Sequence, residues 1–171
     1  EVLVGGFLME YSYICHDLKT DTIMYSTVQT LHSYWAYLTL LILIIVVLNA
    51  FFGFSSGRAF TMNKDLRISL FALIFSHIQF LIGMALYFAS PRFGLWSEQG
   101  MGGIMKNDIA RLYLVEHPLI NILAIALITI GWSKHKKEDS DQRKFGKIAL
   151  FYALGLVFIL SRIPWDTWFR F

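Results

Sequence analysis

Cysteine is nearly absent from this chain. The single Cys15 excludes an internal disulfide and any cysteine-based metal spacing. No Gly-rich phosphate loop, His-x-x-x-His or Glu-x-x-His metal spacing occurs, so hydrolase and kinase chemistry have no support. Proline is scarce, at 3 residues, and no repeat or low-complexity segment is visible. The most telling absence is charge. No Asp, Glu, Lys or Arg lies between Asp21 and Arg58, Arg67 and Arg92, Glu116 and Lys134, or Lys147 and Arg162.

What fills those gaps is apolar. Hydrophobic residues make up 56% of the 171 residues and charged residues 16%, with 15 Phe, 8 Tyr and 5 Trp. Soluble domains carry about 25% charged residues. A helix needs about 20 apolar residues to cross a bilayer core of roughly 30 Å. Three gaps meet that length outright, and the fourth does so by including Arg162. The expectation is an all-α integral membrane protein, a four-helix antiparallel bundle in up-down-up-down order.

The spans are expected at about 31–54, 66–89, 107–132 and 148–165. The first holds a continuous apolar run from Leu38 to Leu48 broken only by Thr39, and ends at Gly53-Phe54-Ser55-Ser56-Gly57. Asn63 or Asp65 is a cap for the second, which Ser90-Pro91 stops, because the residue before proline leaves the helical region. Pro118 lies inside the third and denies the Leu114 carbonyl its helical donor. The polar stretch Ser133–Lys147 reads as a charged hairpin loop. Residues 1–23 read as an upstream extension, non-native or disordered, with Met24 the natural start; Val2–Met9 is too short to span and has no basic segment before it.

The net charge of +3 points to membrane orientation and not to nucleic acid. Arg58, Lys64, Arg67, Lys134, Lys136, Lys137, Arg143, Lys144 and Lys147 fall on one side; Arg92, Lys106 and Arg111 fall on the other. The richer side is expected to be cytoplasmic. Both termini are then periplasmic if the membrane is a bacterial inner membrane.

Ionisable residues within spans suggest function by default. His77 lies near the middle of the second span, and Ser76, Gln79, Gly83 and Tyr87 are assigned to its face as a polar stripe. Glu116-His117-Pro118 lies in the outer half of the third, with Tyr113 and Asn121 one turn away on either side. His32 begins the first span beside Tyr34, Trp35 and Tyr37. Each has an ordinary structural reading, as a hydrogen-bonded or solvated histidine. Arg162 and Arg111 suit either headgroups or the carboxylates of a haem, with Glu116 a rival partner for Arg162. His16 and His135 carry no expected role.

Depth ranks the pairs. At about 1.5 Å of rise per residue, His77 is near the midplane, His117 roughly 6 Å outward and His32 roughly 16 Å outward. His77 with His117 is therefore the first choice of axial ligands to a haem iron, and His32 with His117 the second. Haem-mediated electron transfer, with a quinone or respiratory-chain subunits as partners, is the leading expectation. A cofactor-free accessory or anchor subunit of a larger membrane complex is the alternative. A proton-conducting transporter ranks last, because inverted repeats and paired helix breaks are missing.

Four segments carry a family resemblance: Leu31-His32-Ser33-Tyr34, Phe75-Ser76-His77-Ile78-Gln79, Val115-Glu116-His117-Pro118 and Leu160-Ser161-Arg162-Ile163-Pro164-Trp165. Over 24–171 the chain resembles small bacterial four-helix membrane proteins labelled cytochrome b. The resemblance implies a matching membrane bundle and haem b, with His32, His77, His117 and Arg162 as site residues.

Overall fold

The structure is a computed structural model that describes the backbone of residues 2–168 and the side chains of residues 22–168. The described residues are helical with short connections and no strand. The long helices are α1 (Val2–Ser56), α2 (Arg67–Ala89), α5 (His117–His135) and α6 (Asp141–Ser161). Shorter ones are α3 (Leu95–Lys106), α4 (Asp108–Arg111) and α7 (Trp165–Trp168). Two π-helical turns, Met62–Leu66 and Leu112–Glu116, lead into α2 and α5. The proposed extension 1–23 lies outside the described side chains up to residue 21, as do Cys15 and His16.

Four segments are long and apolar enough to cross a membrane: Thr22–Ser56, Met62–Ala89, Asp108–His135 and Asp141–Ser161. Several of their ends lie beyond the expected boundaries, at Thr22, Met62, His135 and Asp141, because charge does not end a helix; only backbone geometry and capping do. Before α6, the Ser140 hydroxyl accepts from the Arg143 N–H at 3.4 Å. Helix therefore starts at Asp141, and the charged stretch from Asp141 to Lys147 becomes its first two turns. Its end also moves, to Ser161, so Arg162 lies outside the helix. Ahead of α2, the helical path starts at Met62, with Thr61 in the capping position. Asp65 reaches back to it, accepting from the Thr61 N–H and hydroxyl at 2.8 Å each.

Helices α1, α2, α5 and α6 enclose a core of Leu43, Val46, Ala50, Ala72, Ile128, Phe145, Ile148 and Tyr152. Small residues set the closest approach, as is usual between membrane helices. A Cβ on Gly155 of α6 would lie 3.0 Å from the Ala124 carbonyl oxygen of α5. One on Gly131 would lie 2.5 Å from the Phe151 Cβ. The Tyr152 hydroxyl finds a partner across the core, donating to the Ser69 carbonyl at 3.0 Å.

At the end of α1, Asp65 is fully buried and fully satisfied. Its carboxylate takes a two-pronged fork from Arg58, at 2.6 Å to Oδ1 and 2.9 Å to Oδ2, and a third bond from Asn49 at 2.8 Å. The guanidinium also lies over the Phe145 ring, 4.6 Å from its centre. This cluster ties α1, the connection and α6 together through one carboxylate. Hydrogen bonds to charged groups contribute about 1.5–3 kcal/mol each, not additively. Replacement Asp65→Ala is expected to destabilise the protein by about 2–3 kcal/mol, read by denaturant unfolding in mild detergent. A change below about 0.5 kcal/mol would show that Arg58 and Asn49 are equally well served by water.

Candidate functional site: a histidine pair at one end of the helices

Site geometry begins with Pro118. It has no N–H to give the Leu114 carbonyl. The chain adjusts by a π-helical turn over Leu112–Glu116, closed by the His117 N–H on the Leu112 carbonyl. π-Turns recur at functional sites. The Leu114 carbonyl is served from α2 instead: the Tyr87 hydroxyl donates to it at 3.2 Å. Trp96 of α3 donates to the same hydroxyl at 2.9 Å.

The turn delivers His117 toward the end of α6. There Arg162 leaves the helical path, at φ −130° and ψ 23°, one residue ahead of Ile163-Pro164. Terminal carbonyls of a helix lack intrahelical donors. His117 supplies one, its Nδ1 lying 2.7 Å from the Arg162 carbonyl oxygen. Since a carbonyl only accepts, Nδ1 carries the proton and Nε2 keeps its lone pair in the neutral ring. Asn121 in turn donates to the His117 carbonyl at 2.7 Å.

His32 of α1 stands opposite. The His32 and His117 ring centres are 6.3 Å apart with an interplanar angle of 71°. Gln79 of α2 donates from Nε2 to the His32 carbonyl at 3.1 Å and approaches the two ring nitrogens at 3.2 and 3.3 Å. Its Oε1 is buried without a partner. Gly83, one turn on, makes room: a Cβ there would lie 3.0 Å from the His32 Cε1.

Glu116 lies next to His117 and between two arginines. Arg111 Nε meets its Oε1 at 2.9 Å and Arg162 Nε its Oε2 at 3.3 Å. Arg111 also pairs with Asp108 at 2.9 Å and donates to the Met105 carbonyl at 3.0 Å. Both arginines thus hold one glutamate, the partner weighed for Arg162 from the sequence.

His77 does not join this group. It is exposed, and its Nδ1 donates at 2.8 Å to the Leu73 carbonyl of its own helix. The reason is helical arithmetic. Residues one and two apart do not share a face, so Ser76 and Gln79 point away from His77. Its true neighbours at three and four residues are Leu73, Ile74, Phe80 and Leu81. The stripe itself is real and faces inward: Ser76 is buried, and Gln79, Gly83 and Tyr87 make the contacts above.

His32 does not stand at the start of its helical segment. The apolar segment that holds it starts ten residues earlier, at Thr22, or about 15 Å of rise. His135, set aside as a loop residue, is buried between Phe60 and Trp132, with ring centres 5.8 and 4.7 Å away. No signal in the local sequence separates it from its exposed neighbours Lys134 and Lys136.

Among the described residues, no group of three or more His, Cys, Asp or Glu side chains converges as a metal-ion site. No protein-family model, curated protein or solved structure matches the chain.

Removing the hydroxyl that replaces the missing helical donor tests the role of Pro118. Tyr87→Phe is expected to cost about 0.5–1.5 kcal/mol, the range for interhelical hydrogen bonds in membranes. In the Pro118→Ala background, where the alanine offers its own N–H to the Leu114 carbonyl, the same replacement is expected to cost less. Equal costs in both backgrounds, from unfolding in detergent, would refute the substitution of one donor for the other.

Proposed function

We propose that the four apolar helices form an antiparallel up-down-up-down bundle across a bacterial inner membrane, and that the bundle holds haem b for electron transfer. The nine-cation side is cytoplasmic by its Lys and Arg excess, so the histidine pair lies toward the periplasm. The observation that carries the haem reading is the separation of the His32 and His117 ring centres, 6.3 Å. His32 and His117 would hold a haem iron between them, since metal–imidazole bonds of about 2 Å suit ring centres about 6 Å apart. The interplanar angle is not restricted by such ligation, because each ring turns about its metal–nitrogen bond.

The chemistry of the donor set fits. A metal-bound histidine usually donates its second N–H to a carbonyl or carboxylate. His117 makes that bond with the Arg162 carbonyl, which leaves Nε2 as the ligand atom. For His32, the unpartnered Gln79 Oε1 is the matching acceptor: a half-turn of the amide presents it to Nδ1. Gly83 keeps α2 clear of the ring. Arg111, paired with Asp108 and Glu116, and Arg162, paired with Glu116, carry guanidinium forks of the kind that suits carboxylates of a bound haem.

Bound haem would supply one-electron exchange at its iron, with a quinone or a respiratory subunit as the partner. The chain's own groups fix the ligand tautomers, keep α2 at a distance and set the charge at the outer edge. His77 takes no part in this arrangement.

A second reading is a cofactor-free anchor or accessory subunit. It is favoured by the same hydrogen bonds, since Gln79 and the Arg162 carbonyl already occupy a nitrogen of each ring. A dithionite-reduced minus oxidised spectrum of the protein in mild detergent separates the two. The expected result is a b-type α band, lost in His32→Ala and in His117→Ala and retained in His77→Ala. Absence of the band when haem is supplied during expression would overturn the haem reading and favour the anchor. A band that survives His32→Ala but not His77→Ala would move the ligand pair.

A further inference from the structure

The opposite end of the helices carries a cleft that the haem reading does not use. It lies where Phe54, near the end of α1, meets the first turns of α6. Phe54, Glu138, Arg143, Gly146, Lys147 and Leu150 line a space of about 390 Å³. The cleft is built by a glycine. A Cβ on Gly146 would lie 3.2 Å from the Phe54 ring, so its absence lets that ring rest against α6. Gln142 fastens the same corner, donating to the Phe54 carbonyl at 3.2 Å.

Charge at the rim is unbalanced. Lys147 faces Glu138 at 3.5 Å, and neighbouring Lys144 faces Asp141 at 3.3 Å. Arg143 is exposed and has no carboxylate partner among the described residues. The cleft therefore offers two cations against one carboxylate. From its floor an apolar stripe runs along α6 through Leu150, Leu154 and Val157, which are 55%, 40% and 58% exposed. Their spacing of four and three places them on one helical face.

A cationic pocket at the end of the helices, continuous with an apolar track along a membrane-spanning segment, has the two-part character of a phospholipid. We propose that this cleft is a binding site for an anionic phospholipid, its headgroup phosphate on Arg143 and Lys147 and an acyl chain along Leu150, Leu154 and Val157. The unpaired guanidinium selects a net negative headgroup over a zwitterionic one, since basic pockets between helices hold acidic headgroups. The apolar track selects a lipid over free phosphate. Glu138 competes for Lys147, so Arg143 carries the larger share of the selectivity.

The test is thermal unfolding of the full chain in mild detergent, titrated with phosphatidylglycerol, phosphatidylcholine or inorganic phosphate. Phosphatidylglycerol alone is expected to raise the midpoint. Its half-saturating concentration is expected to rise about fivefold in Arg143→Gln, from roughly 1 kcal/mol per basic residue. Lys147→Gln is expected to act in the same direction, and Glu138→Gln in the opposite one. Arg143→Gln breaks no ion pair, so its effect does not pass through loss of folding. Lys64→Gln, at an exposed cation in the Met62–Leu66 turn before α2, is expected to leave the titration unchanged. Equal stabilisation by phosphatidylcholine, the same shift from inorganic phosphate, or an equal loss in Lys64→Gln would each overturn the proposal.

Discussion

A helix crossing hydrocarbon must satisfy its backbone polar groups internally, because no water is there to do so. Where this chain breaks that rule, side chains from other helices step in. Pro118 strips the Leu114 carbonyl of its donor, and Tyr87 provides one. α6 stops at Ser161, and His117 provides a donor to the Arg162 carbonyl. Two breaks in two helices thus fix a tyrosine, a histidine and the arginine beside it at one end of the molecule. The histidine pair is a consequence of where the backbone is interrupted.

The two ends of the helices solve the charge problem differently. At one, Asp65 is closed off, with each carboxylate oxygen accepting at least two hydrogen bonds. Such a group has no capacity left for a ligand and serves packing. At the other, Gln79 keeps a buried oxygen unpaired beside the His32 imidazole. Buried polar atoms are rarely left so, and an exception asks for an explanation.

Much of this was legible in the residues. Four charge-free stretches announced four apolar helices, and Ser90-Pro91 marked the end of α2. The inward stripe Ser76, Gln79, Gly83 and Tyr87 was visible at helical spacing. The same spacing rule, applied strictly, excludes His77 from that stripe. Helix ends were less legible where hydropathy and capping disagree: Lys144 and Lys147 are polar yet lie within α6, because Ser140 caps the helix ahead of them.

By itself, the sequence determined the helical class, the apolar length of the four segments and the residues available for chemistry, because burial in hydrocarbon depends on composition along the chain. Only the tertiary structure decided that His117 faces His32, that Glu116 is shared by Arg111 and Arg162, and that His135 is buried. These depend on the rotation and depth of one helix against another. Those are set by side-chain volumes such as Gly83, Gly131 and Gly155 at contacts distant in sequence, which no local pattern records.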